Sequence, residues 1–94
     1  EGNPSVGIEK IAEKQIQFNI SPNPAKVNQP ITIDFEEDIK NASIMIVDIK
    51  GRIVLQQKIT SKRTVLTNLE QGIYICSIKR EEEILGSKKL IVTK

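Results

Sequence analysis

Over much of this chain the apolar residues recur at every second position, in short runs bounded by turn residues, and that period confines the fold to β-structure. In Gln15-Ile16-Gln17-Phe18-Asn19-Ile20 the apolar side chains fall on one side of an extended backbone and the polar ones on the other. Ile31-Thr32-Ile33-Asp34-Phe35 repeats the pattern, and residues 73–79 alternate again. The residue choice agrees with the period. Ile occupies 17 of the 94 positions, with 6 Val and 5 Thr, against 5 Leu and 3 Ala. Branching at Cβ restricts χ1 and suits a pleated surface better than a helix.

The remaining runs complete a set of strands. Residues 42–50 hold Ile44-Met45-Ile46-Val47, apolar on both faces, as a covered or central strand requires. Asp48-Ile49-Lys50-Gly51-Arg52 then reads as a hairpin, with Gly51 supplying the positive φ of a tight turn. The return strand runs from Ile53 to about Ile59, and Val65-Leu66 forms a short edge piece. Asn68-Leu69-Glu70-Gln71-Gly72 is a turn, as is the charged stretch Lys79-Arg80-Glu81-Glu82-Glu83. The last strand spans residues 84–93, with Gly86 marking a bulge. Seven strand-like segments within about 80 residues predict an all-β fold, an antiparallel immunoglobulin-like β-sandwich. A small barrel has the same periodicity.

Residues 1–14 read differently. Gly2, Asn3-Pro4-Ser5 and Gly7 are loop chemistry. Ile8, Ile11 and Ala12 keep a helical spacing, but so short a helix is marginal in water. The expected division is a flexible linker over 1–14 and a single folded domain over 15–94. The opening Glu1-Gly2-Asn3-Pro4 is polar and unlike a signal peptide. If the protein is exported, its leader is expected in a part of the protein outside these residues.

Several function classes fall away. The 14 basic and 12 acidic residues are interspersed, and aromatics are limited to Phe18, Phe35 and Tyr74, which argues against nucleic-acid binding. The chain has no His and one Cys, so neither a Cys–His pair nor an internal disulfide can form, and Cys76 reads as a small apolar filler. Asp34, Glu36, Glu37 and Asp38 fit no calcium-loop spacing and read as a charged turn. No catalytic constellation and no cofactor are expected.

Three spaced signatures and a terminal one now line up. Ile20-Ser21-Pro22-Asn23-Pro24-Ala25 resembles the PNP-containing opening of the type A C-terminal sorting domains of the type IX secretion system. Asp48-Ile49-Lys50-Gly51-Arg52-Ile53-Val54 resembles their central D-x-x-G-[KR]-x-V hairpin. Leu69-Glu70-Gln71-Gly72-Ile73-Tyr74-Ile75 resembles their L-x-x-G-x-Y strand, and Lys88-Lys89-Leu90-Ile91-Val92 their basic-apolar terminal strand. The resemblance covers roughly residues 18–94.

It implies a sandwich of about seven strands that directs an N-terminal cargo across the outer membrane and is not an enzyme. The implied partners are translocon or shuttle proteins and a surface sortase that cuts near the 1–14 linker. The implied route is periplasm, then outer-membrane surface or medium. The sorting-motif candidates are Pro22, Asn23, Pro24, Asp48, Gly51, Gly72, Tyr74, Lys88, Lys89 and Val92. Read as structure, the prolines break strand pairing between two sheets, the glycines serve turns, and Tyr74 is a packed ring with its hydroxyl at the rim. Lys88 and Lys89 protect an edge strand or steer a partner that adds a strand to it. An adhesion or spacer module that stays on a surface protein is the other reading. An exposed edge also admits a strand-swapped homodimer.

Overall fold

The structure, a computed structural model, describes residues 10–11 and 15–94. Its strands are β1 (Lys10–Ile11), β2 (Phe18–Ser21), β3 (Ala25–Lys26), β4 (Ile31–Phe35), β5 (Ser43–Asp48), β6 (Ile53–Lys58), β7 (Arg63–Leu66), β8 (Gly72–Arg80) and β9 (Glu83–Thr93). One six-stranded sheet runs β1-β9-β8-β5-β6, with β3 also on β9, and a three-stranded sheet runs β2-β4-β7. The seven strands of four or more residues match the seven expected from the period. Two separate sheets make this a sandwich rather than a barrel.

Ladders between the long strands are antiparallel, as expected, but the two-residue strands β1 and β3 both pair with β9 in parallel. Lys10 and Ile11 lie within the expected linker, yet they pair with Glu83 and Ile84 instead of forming a helical turn. A sheet edge offers backbone partners that an isolated turn lacks. The rest of 1–14, with the expected processing region, lies outside the described residues.

The core forms where inner faces meet. Along β4 the pattern is strict, with Ile31, Ile33 and Phe35 buried and Thr32 and Asp34 half-buried. β5 lies between β8 and β6, and its successive apolar residues divide as the sequence requires. Ile44 and Ile46 enter the core, while Met45 and Val47 point outwards. Opposite them stand Tyr74, Cys76 and Ile78 of β8 and Leu90 and Val92 of β9. Burying each large aliphatic side chain contributes about 1.5–3 kcal/mol. Phe18 and Phe35 sit opposite each other in the β2–β4 register, with ring centroids 5.9 Å apart.

At Gly86 a Cβ would come within 3.0 Å of the Phe18 ring and 3.3 Å of the Ile16 carbonyl. Glycine here lets the chain before β2 close onto β9, where the Ile16 N–H donates to the Leu85 carbonyl at 2.8 Å. The bulge expected at Gly86 involves its neighbour. Ile78 faces Gly86 and Lys79 faces Ile84, so Leu85 is the extra residue.

Candidate functional site

Pro22-Asn23-Pro24 lies where the chain leaves the small sheet and joins the large one. Both prolyl bonds, after Ser21 and after Asn23, are cis. Without N–H groups the prolines cannot extend a ladder, and the Asn23 side chain takes that part. Its Nδ2 donates to the Lys89 carbonyl at 2.8 Å, and its Oδ1 accepts from the Ile91 N–H at 3.1 Å. β3 continues the clamp with Ala25 opposite Val92, and the Val27 N–H donates to the Thr93 carbonyl at 2.7 Å. The first and last motifs are thus one structural unit. Asn23→Ala is expected to cost about 1 kcal/mol and to speed hydrogen exchange at the Ile91 amide while leaving that of Cys76 unchanged. Urea unfolding and exchange by NMR measure both.

Asp48 organises the central hairpin. Its Oδ1 accepts from the backbone N–H groups of Lys50, at 2.9 Å, and Arg52, at 3.0 Å, while Arg52 Nε donates to Oδ2 at 3.0 Å. Gly51 has φ +87°, a left-handed conformation that strains any side chain. The hydrogen bond from the Arg52 backbone, joined by those from its side chain and from the Lys50 backbone, lowers the Asp48 pKa below 3.8, and together they outweigh the opposing desolvation. A carboxylate with a depressed folded pKa contributes stability above its unfolded value and loses it as pH falls through the folded one. The hairpin amides of Lys50 and Arg52 are therefore expected to shift with a titration midpoint below pH 3.8. NMR titration reads this directly; a midpoint above 3.8 would contradict the cap. Asp48→Asn abolishes the titration.

Tyr74 buries its ring and donates from its hydroxyl to the Glu70 carbonyl at 2.6 Å. A tyrosine at the start of this strand, bonding back four residues and standing two before a cysteine, is the tyrosine corner of immunoglobulin-type sandwiches. Burial, then the charges of Glu70 and Asp48, raise its pKa above 10.0. Gly72 is not a left-handed turn glycine; Asn68, at φ 66°, takes that conformation instead. Cys76 is fully buried and its thiol is pushed up to about 12 by desolvation, which suits packing rather than nucleophilic chemistry.

The terminal strand departs most from expectation. Lys88 and Lys89 point to opposite sides of the sheet. Lys88 Nζ lies 5.7 Å from the Phe18 ring centroid, a cation–π contact, whereas Lys89 stands on the outer face opposite Ile75. Val92 is a core residue. Nor is β9 the free edge that strand addition needs. Its outer side is occupied by β1, Ile16, Asn23 and β3. Among the described residues, β6 is the long strand at an open edge of the large sheet, opposite the two-residue β1 and β3.

The register gathers all four motifs at one end of the large sheet. Asp48, Tyr74 and Leu90 form one rung across β5, β8 and β9, and Gly72, Val92 and Ala25 form the next across β8, β9 and β3. A depression of about 380 Å³ between the hairpin and the tyrosine corner is lined by residues that include Arg52, Ile53, Leu69, Glu70 and Tyr74. Away from this end, Asp34 of the acidic cluster is held by Arg63 Nε at 2.7 Å.

Residues 19–93 match the family of secretion system C-terminal sorting domains. The chain belongs to that family. It is a sorting domain of type IX secretion, of a family not enzymatic in itself, and that role implies passage across the outer membrane to the surface or the medium. Among solved structures this sorting domain is similar to PorZ, an essential bacterial surface component of the type-IX secretion system of Porphyromonas gingivalis. The TM-score is 0.66 at 16% identity, over 82% of this chain and 11% of that one. The likeness is one of fold, and the sorting domain spans a small part of PorZ's length. No curated protein matches the sequence.

Proposed function

We propose that the folded sandwich is itself the export signal, carried behind a cargo through the periplasm and read there by translocon or shuttle proteins. The observation that carries this reading is the convergence of the four motif segments on one end of the large sheet, bound by the Asn23 clamp and the tyrosine corner. Segments far apart in sequence thereby present one surface, which an unfolded tail would not. The chemistry offered is shape and charge; the sorting domain does no catalysis of its own.

A surface sortase then cuts ahead of the sandwich, within the 1–14 segment, whose Gly2, Asn3-Pro4 and Gly7 are loop-forming residue types. Mass spectrometry of the surface-exposed product tests this step. Peptides from the cargo without peptides from 15–94 are expected. Recovery of the sandwich peptides in equal amount would identify an adhesion or spacer module that stays on the mature protein.

A further inference from the structure

The outer face of the large sheet breaks the usual rule for an antiparallel sheet, whose solvent side is polar. One rung across β6, β5, β8 and β9 reads Ile53, Val47, Ile75 and Lys89, and the next places Ile73 beside Ile91. Ile53, Ile73 and Ile75 are 57%, 45% and 40% exposed. Scattered exposed aliphatics are ordinary, but neighbours in adjoining rungs form a continuous patch. It lies at the end of the sheet where the four motifs meet. None of these side chains is needed by the core, whose residues alternate with them on the other face.

Within the rungs of this face the charges are basic, while Glu70 and Arg52 line the depression beside Ile53. Lys89 ends the central rung, Lys58 stands on the same face beside Ser43, and Lys26 pairs with Thr93 beyond Ile91. No Asp or Glu occupies these rungs among the described residues. A second copy would bring lysine against lysine, so self-association through this face is opposed by its own charge. A lipid surface is a poorer match, because interfacial anchoring favours Trp and Phe, and none of the three aromatic residues lies in these rungs. An apolar centre with a basic rim complements a protein that presents apolar side chains among carboxylates.

We propose that the outer face centred on Ile75 and edged by Lys89 docks an acidic protein of the export apparatus. The proposal rests on the sorting reading above and names the surface through which the signal is read. Binding is side-chain-led on a sheet face, in contrast to strand addition at β9, whose edge is occupied.

The test uses residues 1–94 fused behind a fluorescent protein with an inner-membrane leader, in a host with a working type IX system. Three variants are compared with the parent: I73T/I75T, K89E, and V65T, a control on the small sheet where Val65 is 53% exposed. Threonine keeps the strand preference, and exposed sites shift stability by about 0.5 kcal/mol or less, so equal urea midpoints are required of all four. The double variant and K89E are expected to lower surface fluorescence about ten-fold, with the protein held in the periplasm, while V65T matches the parent. Parental export by both face variants would overturn the docking surface and leave the sorting reading standing. A parent fusion that never leaves the periplasm would instead sink the sorting reading, and this proposal with it. Binding of the parent to phosphatidylglycerol vesicles, lost in I73T/I75T, would assign the face to lipid and overturn the protein partner.

Discussion

A chain lacking residues 84–94 is expected to show no cooperative unfolding transition and to leave a fused cargo in the periplasm. These residues are nearly all of β9, which pairs with β8 along its length and also seats β1 and β3. Leu85, Leu90 and Val92 leave the core with it, and all three are almost wholly buried. Losing one large buried side chain costs about 2–5 kcal/mol. A domain of this size has a total stability of about 5–15 kcal/mol. Three such losses are of that size, and the ladder hydrogen bonds and the Asn23 clamp are removed as well. Circular dichroism across a urea series reads the fold, and surface fluorescence of the fusion reads the export. A truncated chain that still unfolds cooperatively would contradict the central place of β9 in the fold.

Ile46→Ala is expected to lower stability by about 2–5 kcal/mol, close to the limit that the domain tolerates. Ile46 is completely buried at the middle of β5, in register with Leu55 of β6 and Cys76 of β8. Its neighbours are fixed in two ladders and cannot collapse into the space left behind, so the cavity term is added to the lost transfer energy. Ile46→Val removes a single methylene and is expected to cost about 0.5–1.5 kcal/mol. Urea midpoints at constant slope measure both. Equal midpoints for Ile46→Ala and the parent would mean that Ile46 does not pack between the two sheets.

Local signals carried most of the fold. Alternation at Ile31, Ile33 and Phe35 marked a half-buried strand, and the doubly apolar run from Ile44 to Val47 marked the strand that lies between two others. Gly51 marked the hairpin because its φ is a local requirement. The features that escaped are long-range. Asn23 and Lys89 are 66 positions apart, and a side chain that replaces a ladder bond leaves no period in either segment. The two-residue pairings of β1 and β3 are too short to have a period at all. Adjacent lysines look like one charged unit in a sequence, yet alternation in a strand sends Lys88 towards Phe18 and Lys89 to the outer face. Residues 73–79 alternate in the sequence, but only the register with Val47, Ile53 and Ile91 shows that Ile73 and Ile75 belong to an apolar row across neighbouring strands.

The turn before Tyr74 shows a further limit. Gly72 is the residue that sequence favours for a left-handed position, and Asn68 adopts it. Asparagine tolerates that region because its short polar side chain can satisfy nearby backbone groups. The hydroxyl of Tyr74 then closes the corner through the Glu70 carbonyl.

The most direct test of the central claim, that this sandwich suffices as an export signal, is the fusion of residues 1–94 to a fluorescent protein bearing an ordinary inner-membrane leader. Fluorescence is expected at the cell surface or in the medium of a host with a working type IX system, and is expected to be lost in a translocon-deficient strain. Fluorescence confined to the periplasm of both strains, with the sandwich folded, would contradict it.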